Sequence, residues 1–140
     1  MTSEALKAEL KQLQALSAAG REIIAGLKSD ITSGPMKEYL AVREETESSL
    51  TVSFFGLRLV FRIESCWPAE HHKGRLVVCS QSYDAKPVET PLTLEPQYSF
   101  DADGRVFSTG SGSHSKETFS PFFLGDVLAA VEKEKLTLRP

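Results

Sequence analysis

The chain has 140 residues, 41% hydrophobic and 25% charged, with 16 lysines and arginines against 19 acids and a net charge of −3. That length suits one domain with its own core and is short for two. The acidic balance argues against nonspecific phosphate-backbone binding, and the two cysteines are too few for a disulfide framework. Charge is spread evenly: six basic against eight acidic residues in 1–47, six against seven in 48–107, four against four in 108–140. Met1 to Leu16 lacks the basic start and unbroken apolar stretch of a secretory leader, and no run is long enough to cross a bilayer. The expectation is a cytoplasmic protein without a membrane partner.

Residues 1–34 read as one long amphipathic helix. Leu6, Leu10, Leu13, Ser17, Gly20, Ile24, Leu27 and Ile31 follow alternating spacings of four and three, a near-heptad seam. Thr2 or Ser3 can cap the exposed amides, with Glu4 favourable in the first turn, and Gly34-Pro35 ends the helix. Some thirty residues give a rod of about 45 Å. Gly20 and Gly26, with Ala15, Ala18, Ala19 and Ala25, leave a thin-walled middle where a neighbour can pack closely, and Gly20 is the natural point for a bend. Leu16 and Ile23 widen the apolar surface beyond the seam. Such a stripe suits two roles, covering the chain's own sheet and pairing with a second copy. For the second, the candidate residues are Leu6, Leu10, Leu13, Ile24 and Leu27.

Residues 36–48 fit either a short edge strand through Tyr39 to Val42 or an extended connection. From Leu50 the apolar period becomes two, and the antiparallel sheet is expected over 49–109. A tight turn at Phe55-Gly56 puts Phe54 opposite Leu57, Val52 opposite Leu59 and Leu50 opposite Phe61, all on one face. A phenylalanine is uncomfortable in that turn, so a bulge is the alternative. The next strand, Arg75 to Tyr83, returns after the polar loop 67–74, with Ile63 opposite Val78. A last hairpin, turning on Asp103-Gly104, pairs Phe100 with Phe107. Between them Pro87, Pro91 and Pro96 leave room for a short edge strand at Leu92 to Leu94.

The Gly/Ser-rich stretch 108–118 is expected to be a flexible loop. A second helix over 120–135 follows, with Ser120 as cap, Pro121 at the first helical position and Leu124, Val127, Leu128 and Val131 as its buried stripe. Leu136 to Leu138 could add a short strand. The fold class is therefore α+β: a long N-terminal helix, an antiparallel meander of about five strands, and a C-terminal helix packed on the apolar sheet face.

No motif for chemistry rises above this framework. Cys66, Glu70, His71 and His72 lack the spacing of a zinc site, and a Cys66–Cys79 disulfide is too long in the register above. Asp101-Ala-Asp103-Gly104 is a turn rather than a calcium loop, and Gly110 to Lys116 lacks the order of a phosphate loop. No nucleophile, base and orienting group are brought together by spacing, and no Gly-x-Ser-x-Gly elbow exists. Catalytic residues, metal ligands and cofactors are accordingly expected to be none. The polar sheet face is different. There Arg58, Arg62, Arg75 and Tyr83 share a side, with Arg58 opposite Tyr83 and Arg62 opposite Cys79, and form a candidate surface for a partner or anionic ligand; the alternative is an amphipathic solvent face with Arg62 and Glu64 paired to neighbours.

The leading reading is a non-enzymatic protein-interaction or assembly module, homodimeric, whose partner is another protein or a second copy of itself. The alternative is a small-molecule-binding or enzymatic α+β cup with an apolar pocket walled by the phenylalanines. A weaker alternative is single-stranded nucleic-acid binding through the arginine and tyrosine face, which the net charge disfavours.

Overall fold

In the computed structural model, residues 2–65, 73–109 and 112–134 are described. Helix α1 (Ser3–Ser33) is followed by strands β1 (Leu40–Glu45), β2 (Ser49–Phe54), β3 (Leu57–Ser65), β4 (Lys73–Gln81), β5 (Glu89–Pro91), β6 (Tyr98–Asp101), β7 (Val106–Ser108) and β8 (Gly112–His114), then by helix α2 (Ser120–Lys133). The class is α+β, as the periodicities require, but the strands among the described residues number eight rather than about five. All pair antiparallel in the order β1-β2-β3-β4-β6-β7-β8, with β5 also on β4. Each strand thus lies beside its predecessor except β6, which shares the free edge of β4 with β5, and the two helices cover one face.

Helix α1 begins and ends where its capping chemistry dictates. Thr2 Oγ1 accepts a hydrogen bond from the Ala5 amide at 3.1 Å, and the Gly34 amide donates to the Asp30 carbonyl at 2.8 Å. The helix runs unbroken through Gly20. Its covered face is Leu16, Ala19, Gly20, Ile23, Ile24, Leu27 and Ile31, whereas Ser17 is exposed. Gly20 is the point of closest approach: a Cβ there would stand 2.6 Å from Cγ2 of Ile63 on β3.

Alanine outranks glycine in a helix by about 1 kcal/mol, while forcing a methyl into packed atoms costs about 1–3 kcal/mol. The branched Ile63 cannot withdraw both Cγ atoms together. Gly20→Ala is therefore expected to lose about 1 kcal/mol net in urea unfolding, and the loss should vanish when Ile63→Ala is the background. A stability gain from Gly20→Ala alone would show that helix and sheet are not in contact there.

The β2–β3 hairpin has the register read from its apolar pattern, with Leu50 on Phe61, Val52 on Leu59 and Phe54 on Leu57. Its turn places Phe55 at φ 49° and Gly56 at φ 82°, the left-handed pair of a type I′ turn. Between β3 and β4 the register differs by two from the expected one. Phe61 rather than Ile63 faces Val78, Arg58 faces Gln81 rather than Tyr83, and Arg62 faces Val77 rather than Cys79. A slip of two keeps every side chain on its face, so alternation cannot detect it.

In the β6–β7 hairpin the slip is one, and it matters more. Phe100 faces Val106, and Phe107 points to the opposite face, where Lys73 Nζ lies 4.6 Å from its ring centre. The connection is a three-residue loop closed by Gly104 at φ 85°, with the Asp101 carboxylate accepting from the Asp103 and Arg105 amides, both at 3.0 Å. Such a loop, a turn plus a left-handed glycine, shifts the register by one against a two-residue turn.

Residues 36–48 resolve into β1, an edge strand with a bulge: Val42 pairs with Val52 and Glu44 with Thr51, leaving Arg43 as the extra residue. The short strand expected at Leu92 to Leu94 is instead Glu89–Pro91, and both leucines are buried in the segment that joins β5 to β6. The stretch 108–118 holds β8 and a turn at 115–118 rather than being all loop. Ser120 is not the cap of α2. Phe119 occupies that position without a side-chain cap, and Ser120 Oγ is buried with no hydrogen-bond partner among the described residues. Cys66, Glu70, His71, His72 and the segment 136–138 lie outside the described residues, so the readings placed on them do too.

The core between helices and sheet is filled by rings. Phe123 of α2 meets Phe61, Tyr98 and Phe119 with centroids 5.8, 5.1 and 5.9 Å away. Tyr98 also donates its hydroxyl proton to Asp126 Oδ2 at 2.5 Å, fastening α2 to β6. Burial, and then that hydrogen bond, push the Tyr98 phenol above its ordinary pKa.

Candidate functional site: an arginine cleft and a projecting helix end

The polar face of the sheet divides the four residues proposed there into two kinds. Arg62 is bound to Glu89, its two terminal nitrogens 2.6 and 2.7 Å from the carboxylate oxygens. Arg75 pairs with Glu64 at 3.1 Å, directly across the β3–β4 ladder. Both guanidiniums are therefore already engaged by the chain's own acids. Cys79 and Val60 belong to this face by register yet are buried. Burial, and after it the nearby Glu89 carboxylate, raise the Cys79 thiol above its usual pKa, the reverse of what a nucleophilic cysteine needs.

Arg58 and Tyr83 do come together. The Arg58 guanidinium sits 4.3 Å from the centre of the Tyr83 ring, a diagonal contact rather than the expected direct pairing. They share a cleft of 600 Å³ with Arg43, Glu44, Thr51, Ser53, Gly56 and Gln81, open on its outer side. Arg43, the extra residue of the β1 bulge, also lines this cleft, and its Nε donates to Ser53 Oγ at 2.7 Å. Among the described residues neither Arg43 nor Arg58 forms an ion pair. The chemistry on offer is two planar cations, the hydroxyls of Thr51, Ser53 and Tyr83, the Gln81 amide and the Tyr83 ring, with one carboxylate, Glu44, beside them. Arg43 was missed in the sequence because 36–48 fitted an edge strand or an extended connection equally, so no face could be assigned to it.

At the Gly56 end of the cleft stands an exposed aromatic pair. Phe55 is 51% and Tyr39 50% exposed, their ring centres 6.0 Å apart, with Phe54 edge-on to Phe55 at 4.9 Å. A second cleft, of 410 Å³, opens where 92–97 leaves β4, with Arg75, Thr93, Gln97, Ser99 and Phe107 among its lining residues. Its only arginine is the one held by Glu64.

The helix candidates also divide. Ile24 and Leu27 are buried in the chain's own core, and Leu13 is half-buried against it. Leu6 and Leu10 remain 41% and 47% exposed. Leu16 is the first residue of α1 to be fully covered, so more than ten residues precede the covered face, about 15–20 Å of helix.

The two surfaces define the molecule as a helix-covered antiparallel meander carrying an arginine–aromatic cleft and an apolar helix end. No family model matches the chain, and neither the curated proteins nor the solved structures contain a match to it. Among the described residues no helix is long and apolar enough to cross a membrane.

Proposed function

We propose that the chain is a non-enzymatic assembly module that pairs with a second copy through the N-terminal end of α1. The observation that carries this reading is the exposure of Leu6 and Leu10, in continuous register with the half-buried Leu13 and the buried stripe beyond it. A helix forms stably in water chiefly by burying such a stripe, and here the chain's own sheet covers only the later part. A second helix laid along the uncovered part supplies the missing contacts.

The flanks of that part suit a copy of the same chain. Glu4 and Glu9 alternate with Lys7 and Lys11, so two such segments meet without net repulsion. Of the phenylalanines in 54–61 and 100–123 that would have walled a ligand cup, Phe61, Phe100, Phe119 and Phe123 are fully buried and fill the interior with their own rings. That favours the assembly reading over the cup.

The test is Leu6→Lys combined with Leu10→Lys. Both side chains are exposed in the single chain, so the double variant should melt within a few degrees of the parent, while its sedimentation coefficient falls to that of one copy. A variant that sediments as the parent does would refute pairing through this face.

A further inference from the structure

We infer that the cleft between Arg43, Arg58 and Tyr83 binds an acidic peptide segment of a partner protein, one that places an aromatic or apolar side chain next to its carboxylates. Two independent observations meet at this place. The first is electrostatic. Arg43 and Arg58 line one 600 Å³ cleft and form no ion pair among the described residues, although Arg62 and Arg75 on the same face are both paired. Their guanidiniums are already oriented, Arg43 by Ser53 and Arg58 by the ring of Tyr83, so little freedom is lost when a carboxylate docks.

The second observation is strain. Phe55 holds a left-handed φ of 49°, which a bulky residue adopts only at a cost, and it does so half exposed. Asparagine or glycine serves a type I′ turn better. The position thus carries a large ring that the turn itself disfavours. With Tyr39 it forms an exposed aromatic pair, joined to the cleft through Gly56, which follows Phe55 in the turn and lines the cleft, and arginine with aromatic residues is the composition of interface hot spots.

The choice of a short peptide over other anions follows from the surroundings. A small metabolite is ordinarily enclosed over most of its surface, and this cleft is open on its outer side. A nucleic-acid strand extends its charge well past Arg43 and Arg58, and the next guanidiniums on this face, Arg62 and Arg75, are already held by Glu89 and Glu64. Two or three carboxylates on a short segment need only Arg43 and Arg58, with Glu44 the one acid lining the cleft beside them.

The experiment measures fluorescence anisotropy with labelled, capped hexapeptides in which aspartate and glutamate flank one phenylalanine. The same peptides with asparagine and glutamine, and an oligothymidylate, serve as comparison probes. The acidic peptides should bind with an affinity that weakens with salt, and the amidated ones should not. Arg43→Gln and Arg58→Gln should each weaken binding about tenfold, as loss of one charge-assisted pair implies. Phe55→Asn should weaken it as well while leaving the melting temperature equal or higher, which separates recognition from folding. Glu44→Gln should tighten binding, and Arg75→Gln should leave it unchanged. The Leu6→Lys, Leu10→Lys variant should bind the peptides like the parent, so this site and self-pairing can fail separately. Equal binding of acidic and amidated peptides, no binding of any acidic peptide, undiminished binding by an Arg43→Gln, Arg58→Gln double variant, or tighter binding of the oligothymidylate would each overturn the assignment.

Discussion

Gly74→Ala is expected to be among the most damaging single-methyl changes in the molecule. Gly74 on β4 pairs directly with Phe100 on β6, and the phenylalanine ring lies across it. A Cβ at Gly74 would fall 2.2 Å from Cζ and 2.5 Å from Cε1 of that ring. Phe100 is fully buried, so the ring has nowhere to move without displacing its neighbours. Overpacking of this kind costs about 1–3 kcal/mol and sometimes more, while alanine regains only about 0.5–1 kcal/mol of strand entropy over glycine. A net loss of about 1–2 kcal/mol is expected, read as a fall of about 5 °C in Tm. Adding Phe100→Leu, which removes the ring, should recover part of the loss. An unchanged Tm in Gly74→Ala would contradict the stacking of the ring on the glycine.

Phe123→Ala carries the largest expected loss in the second helix. The side chain has no exposure and sits among the rings of Phe61, Tyr98 and Phe119. Its truncation removes a fully buried ring and leaves a cavity between α2 and the sheet, a change that costs about 3–5 kcal/mol. Against a total stability on the order of 5–15 kcal/mol, that is a large share. The midpoint of urea unfolding should fall with little change in slope, since the same surface is exposed on unfolding. A loss below about 1 kcal/mol would mean that α2 is held mainly by the Tyr98–Asp126 hydrogen bond.

The parts of this fold that could be read in advance are those set by local chemistry. Thr2, Gly34 and Pro35 bound α1 through capping and a missing amide, and the alternation from Leu50 to Phe61 aligned β2 with β3 around a two-residue turn. Register was legible only where a turn length was. Between β3 and β4 a slip of two left every face unchanged, so the pattern was indifferent to it. At β6–β7 both Val106 and Phe107 are apolar, so alternation gave no warning that the three-residue loop ending in Gly104 puts Val106 inward.

The site was half legible for a related reason. Arg58 and Tyr83 share a face at any even register, and they do meet. Whether an arginine is engaged depends on which acid lies across from it. Glu64 meets Arg75 by register and Glu89 meets Arg62 through β5, and neither pairing has a signature in sequence. The seam of α1 was plain in its spacing, but a stripe does not state how much of itself the sheet will cover. Here cover begins in full at Leu16.

The most direct test of the assembly reading is the mass of the full chain in solution, measured by light scattering over a concentration series. The account predicts a mass that rises with concentration toward twice the 15.4 kDa of one chain. A mass that stays at one chain up to the highest attainable concentration would contradict it, and would leave Leu6 and Leu10 as exposed leucines without a second copy to cover them.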